Sequence, residues 1–343
     1  MGAYSCYSPA HGISHERGAI EEDQRWSTRL LQADLESLAK PGELSRIIRL
    51  PGEFGELRLA HASASRQPVR GTVVLLTGRA EFIEKHEETV ADLCALGFTT
   101  AVVEWRGQGL SARHARWPQR GHVADFSHYL ADLGLALTEL ASLGVPRPWI
   151  MLGHSMGGHI GLRWLGERPT EFAAAIMTAP MFGILLPNVP ERIARLLGTA
   201  AVRLGAQHRY APGQRDFRMA ACRYERNPLT SCEVRFARYA SLLANRPELA
   251  LGGVTWGWLD AALRSIALTR TPGYLEAIPI PMLICVADQE RIVSNRWIER
   301  FANRLPQATI ARFDARHELL LEREHIRAAV LERIDLFLAG LGY

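Results

Sequence analysis

The segment Gly153-His154-Ser155-Met156-Gly157-Gly158 constrains this chain more than any other. It stands directly after the apolar run Trp149–Leu152 and opens a helical stretch, Gly157–Leu165. Glycines bracket a serine in this way where a strand turns into a helix so sharply that a Cβ would strike neighbouring backbone. Such a turn strains the serine backbone and lifts its hydroxyl above the edge of a sheet. The helix N-terminus behind it favours negative charge. The chain is thereby committed to a strand–turn–helix unit, and the rest of the sequence repeats the alternation. Strands are expected at Leu57–Ala62, Thr72–Leu76, Thr99–Glu104, Ala173–Thr178, Met282–Val286 and Thr309–Phe313. Helices are expected at His86–Leu96, Phe126–Leu143, Asn295–Leu305 and Glu324–Leu338, with Gly97 and Gly144 ending the first two. Strands alternating with helices build a mostly parallel central sheet flanked by crossover helices, an α/β fold.

The alternation stops at Pro180, and an Arg-rich, Pro-interrupted, mainly helical stretch follows before strands resume at Met282. The expected organisation is an N-terminal extension over 1–45 with helical potential between Gly18 and Leu38. An α/β core is expected in two pieces, 46–180 and 275–343, with an inserted helical lid over 181–274.

Composition narrows the function. Of 343 residues, 48% are hydrophobic and 22% charged, which excludes disordered and fibrous classes. The most apolar stretch, Phe172–Leu186, is broken by Pro180 and Gly183, so no spanning helix is expected. The first residues lack the basic and apolar regions of a signal peptide, and Cys6 stands where myristoylation requires Ser or Thr. A soluble, cytoplasmic protein is expected. Five scattered cysteines without a CxxC pair predict reduced thiols rather than a disulfide or zinc framework. Of 40 basic residues only Lys40 and Lys85 are lysine, as a GC-rich genome would produce. The net charge is +4, yet residues 181–274 hold 13 Arg against 6 Asp and Glu, or +7, leaving −3 elsewhere. That asymmetry predicts an anionic surface or substrate beside the segment. No nucleic-acid motif accompanies it.

A serine hydroxyl is a weak nucleophile at neutral pH and requires a base, itself held by an acid. Beyond the insertion stand two histidines, His317 just after the last expected strand and His325 inside the last helix. His317 is placed where a loop at a strand's carboxyl end would deliver it. After the strand Met282–Val286 two carboxylates compete for the acid's place, Asp288 and Glu290.

These segments, together with Gly78, Arg106-Gly107-Gln108-Gly109-Leu110-Ser111 and His317-Glu318-Leu319-Leu320, resemble the α/β-hydrolase superfamily. Within it the chain is most similar to the monoacylglycerol lipase and lysophospholipase L2-like group, of serine aminopeptidase type, over roughly residues 45–343. The resemblance implies a Ser155–His317–acid triad that cleaves esters through an acyl-enzyme, with no cofactor and no metal. The group's acid motif G-x-x-D-x-[IV]-V aligns Ala287 with its glycine and Glu290 with its acid, which favours Glu290 over Asp288. The oxyanion donors it implies are the backbone amides of Arg79 and Met156, although Thr77-Gly78 replaces the usual His-Gly. Phe182, Trp256 and Trp258 are candidates for an acyl pocket. A lysophospholipid or monoacylglycerol is the implied substrate, with transient contact between the basic lid and an anionic membrane. A short-chain carboxylesterase, an acyltransferase and a non-catalytic binding protein are the alternatives. Gly107–Ala112 formally fits a dinucleotide fingerprint, but no apolar-periodic helix follows it.

Overall fold

The computed structural model describes residues 46–168, 172–186 and 189–343. The helix expected between Gly18 and Leu38 lies outside them. Eight strands form one sheet in the order β1-β2-β4-β3-β5-β6-β7-β8: β1 (Arg46–Gly52), β2 (Gly55–Ala62), β3 (Gly71–Leu76), β4 (Phe98–Glu104), β5 (Trp149–His154), β6 (Ala174–Thr178), β7 (Met282–Ala287) and β8 (Ala308–Phe313). The ladders β1–β2 and β2–β4 are antiparallel, and every pair from β4 to β8 is parallel. This is the α/β-hydrolase fold. The central strands are buried along their whole length, as their unbroken apolar runs require of strands covered on both faces.

The helices are α1 (Glu87–Ala95), α2 (Ser127–Ser142), α3 (Met156–Glu167), α4 (Glu191–Arg203), α5 (Glu233–Asn245), α6 (Trp256–Thr269), α7 (Asn295–Ala302) and α8 (Glu324–Gly340). Helix α1 packs on β4, α3 on β5 and β3, and α7 and α8 on β7 and β8. One continuous apolar core lies between sheet and helices. A second, smaller cluster joins Phe82 to Leu243, Leu249 and Ala250 of the stretch between β6 and β7.

Among its described residues, the segment between β6 and β7 contributes α4, α5 and α6 and no strand of the sheet. Strand β1 was not expected: Pro51 breaks its run, and an edge strand tolerates a proline that a central strand does not. Cys94, Cys232 and Cys285 are buried thiols, and Cys222 is half-buried.

Candidate active site

Loops at the carboxyl ends of the parallel strands are where open α/β sheets bind ligands, and the named side chains converge there. Ser155 follows β5 with φ +50° and ψ −115°, a region L-residues rarely adopt and that costs roughly 1–3 kcal/mol. Its neighbours leave no alternative. A Cβ on Gly157 would lie 2.1 Å from the Leu76 carbonyl oxygen, and one on Gly153 would lie 2.7 Å from Gly158 Cα. The turn is pinned by the Ser155 N–H on Thr178 O at 3.0 Å and by the Met181 N–H on Ser155 O at 2.9 Å. Met156, the next residue, opens α3 and is fully buried.

His317 lies in the loop after β8, with no exposed surface. Its Nδ1 is 2.7 Å from Glu290 Oε2 in the loop after β7. The other oxygen of Glu290 accepts the N–H groups of Arg291, Ile292 and Val293 at 2.8, 2.7 and 3.3 Å. A carboxylate so anchored can only present its second oxygen to the imidazole. Burial works against the Glu290 charge, but His317 and the backbone donors outweigh it and hold the carboxyl below its ordinary value. Burial likewise opposes the His317 cation. Glu290, then Glu318 and Glu81, reverse that and raise the imidazole above its ordinary value. His317 Nε2 is buried without a hydrogen-bond partner among the described residues. The ring of His154, beside Ser155, lies 4.8 Å from the His317 ring. The other acid candidate, Asp288, is 40% exposed and pairs with Arg312 at 2.7 Å. His325 is exposed on α8.

The loop after β3 carries Gly78 and Arg79. Ala80 adopts φ +60°, and its N–H donates to Gln108 Oε1 at 2.7 Å while Gln108 Nε2 donates to Gly78 O at 3.0 Å. The side-chain amide of Gln108 thus reproduces a strand partner for the loop. Gln108 is itself set by fully buried Glu104, which accepts the Leu110 and Ser111 N–H groups at 2.9 and 2.8 Å and pairs with Arg58 at 3.2 Å. The Arg79 guanidinium bonds Gly252 O and lies 5.7 Å from the Trp258 ring. Trp258 is therefore linked to the site. Trp256 is half-buried at the start of α6. Phe182, expected at a pocket wall, is instead stacked on Phe301 of α7 in the core at 4.7 Å.

Sequence reasoning missed what lies between these loops. Glu81, Lys85, His86, His154 and Glu318 form a buried polar cluster. Glu81, His154 and Glu318 have a spacing that could hold a metal ion, but the Lys85 ammonium donates to both carboxylates and stands where a cation would. Burial opposes the Glu81 charge, yet Lys85, His86 and His154 hold it well below the carboxylate range. Burial pushes His154 down to about 3, so it is a neutral neighbour. One signal was available: Lys85 is one of two lysines among 40 basic residues.

A family model described as serine aminopeptidase, S33, matches residues 67–324. The chain belongs to that family. It is a hydrolase, 31% identical over 286 residues to a probable lysophospholipase L2 of Haemophilus influenzae, covering 82% of this chain and 88% of the relative. It is 30% identical over 305 residues to lysophospholipase L2 of Escherichia coli, covering 86% of each. A solved structure of a soluble variant of monoglyceride lipase from Saccharomyces cerevisiae, in complex with a substrate analog, superposes with a TM-score of 0.65 at 19% identity. That superposition covers 88% of this chain and 96% of the other. No described helix is long and apolar enough to cross a membrane.

Proposed function

We propose that the protein hydrolyses carboxylic esters of lipid-like molecules, lysophospholipid or monoacylglycerol, through Ser155, His317 and Glu290. The observation that carries this reading is the 2.7 Å contact of Glu290 with His317 Nδ1, which leaves buried Nε2 without another partner beside the strained serine turn. With Nδ1–H donated to Glu290, Nε2 carries the lone pair that takes the serine proton as Oγ attacks the ester carbonyl. Glu290 stabilises the imidazolium that results. The carbonyl oxygen gains charge in that step, and the amides of Arg79 and Met156 are the donors for it, the second reinforced by the N-terminus of α3. The protonated histidine returns its proton to the departing alcohol, and water then repeats the sequence on the acyl-enzyme. The relatives' names support a lipid ester as the substrate.

In this proposal residues 181–274 act as a lid that meets an anionic lipid surface. Helix α4 supports it. The small residues Ala194 and Gly198 are buried, and Gly198 lies against Asp260 of α6. Ile193, Leu196 and Leu197 are turned outward, from 48% to 67% exposed, beside the exposed Arg192 and Arg195. An apolar face directed away from the protein and flanked by arginines suits the headgroup boundary of an anionic membrane.

The test is labelling by a fluorophosphonate together with turnover of p-nitrophenyl esters of increasing chain length, lysophosphatidylcholine and monoacylglycerol. Aminoacyl p-nitroanilides serve as the peptidase contrast. Labelling and lipid-ester turnover are expected, both lost in Ser155→Ala. A folded protein that neither labels nor turns over would leave a binding role, and turnover confined to the anilides would replace the ester reading.

A further inference from the structure

Lys85 Nζ lies 2.8 Å from Glu81 Oε1 and 2.5 Å from Glu318 Oε1, and 5.1 Å from the centroid of the Tyr239 ring on α5. Its side chain is 3% exposed. Glu81 accepts the Gly78 N–H on its other oxygen, which is also 3.2 Å from His86 Nε2. Glu318 is the residue after His317. A single nitrogen therefore joins the loop of Gly78 and Arg79, the loop of the base, and a helix of the insertion. Charges this deeply buried hold only if their partners stay in place, so displacing one leg displaces the others.

The convergence also selects the residue type. Two carboxylates and an aromatic face meet at one atom. An ammonium offers three donors rotatable about one nitrogen, whereas a guanidinium spreads its donors over a rigid planar fork. The cavity beside the ammonium's partners, bounded by Glu81, His86, His154 and Glu318, measures about 20 Å³. That is room for one water. Thirty-eight of the 40 basic residues are arginine, and this position is not.

We propose that Lys85 is a positioning residue of the active site: through Glu81 and Glu318 its ammonium locks the Gly78–Ala80 loop to the loop carrying His317, and arginine cannot replace it. The proposal rests on the serine-hydrolase reading above. The charged and titratable groups around His317 are Glu290 from the β7 loop, Glu318 on its own loop, Glu81, Lys85 and His86 from the stretch after β3, and His154 at the end of β5.

The experiment compares full-length Lys85→Arg, Lys85→Met and Glu318→Gln with the wild type. It reads kcat, KM and the pH profile on a p-nitrophenyl ester, thermal melting by circular dichroism, and the titration of the His317 ring by NMR. Both lysine variants are expected to lose roughly 30- to 100-fold in kcat with KM within about 3-fold, because displacing a catalytic group by about 1 Å costs on that order. Glu318→Gln removes a negative charge beside the imidazole, so the acid limb and the NMR titration of His317 both move to lower pH. Wild-type kcat in folded Lys85→Arg or Lys85→Met overturns the proposal. If Lys85→Met does not fold, an unchanged kcat and an unchanged His317 titration in Glu318→Gln overturn it instead. A folded wild type without labelling or turnover would sink the hydrolase reading. In that case the NMR titrations decide the linkage alone: a wild-type His317 curve in both Glu318→Gln and Lys85→Arg refutes it.

Discussion

Glu290 holds four hydrogen bonds through two oxygens, three from backbone and one from His317. Glu290→Gln keeps its size but can present an N–H to Nδ1, which favours the wrong tautomer. A fall in kcat of about 10⁴-fold is expected by analogy with Ser-His-acid enzymes, and a loss under 10-fold in steady-state assays would remove Glu290 from the proposed triad. The raised value of His317 sets a second expectation. Only the neutral ring is a base, so kcat/KM should climb with an acid midpoint above the ordinary histidine value of about 6.5. A midpoint below 6 in the wild type would contradict the electrostatics of the site. The Ser155 turn and the Glu290–His317 contact were legible because each residue sits in a short local pattern beside a strand end. The Glu81–Lys85–Glu318 linkage was not, since its partners come from loops 233 residues apart and neither carboxylate has a pattern of its own.

At the scale of elements, α4 makes the clearest separable prediction. Leu196 is 67% and Leu197 49% exposed, so their side chains contribute little packing, and Leu196→Glu with Leu197→Glu should leave the melting temperature within about 2 °C. The pair should weaken sedimentation with vesicles of phosphatidylglycerol by more than about 10-fold, and turnover of a monomeric short-chain ester should be unchanged. Equal vesicle binding by the variant would refute the docking face. The strand and helix positions were largely readable from apolar runs and glycine stops, with ends displaced by up to three residues. Helix α1 begins at Glu87 because Ile83–His86 forms a tighter 3₁₀ turn, which hydrophobic periodicity does not distinguish. Phe182 was misplaced for a related reason: an aromatic residue beside a proline reads the same whether it faces a pocket or, as here, Phe301.

For the whole molecule, buried histidines set the response to acid. Burial holds His154 and His159 neutral down to about 3, Arg163 adding to the effect at His159. In the unfolded chain both would bind protons below about 6.5. The unfolded state therefore takes up more protons across that window, and stability falls as pH falls, by about 2 kcal/mol per histidine at pH 5. His317 acts in the opposite sense, its contribution being complete at low pH and lost as pH rises through its raised folded value. His122, held at about 4 chiefly by burial, acts in the same sense as His154 and His159, so these groups outweigh His317 and the guanidinium midpoint should drop between pH 7 and pH 5; a flat profile would refute this. The parallel pairing of β6 with β7 has a further consequence. These neighbours are separated by the whole of α4–α6, and the chain is synthesised from its N-terminus. The serine turn and the Gly78 loop therefore leave the ribosome well before Glu290 and His317 exist. In the proposed mechanism a nascent chain can shape its serine turn early and still be chemically silent, so hydrolytic power would arrive only once β7 and β8 have emerged and set their loops.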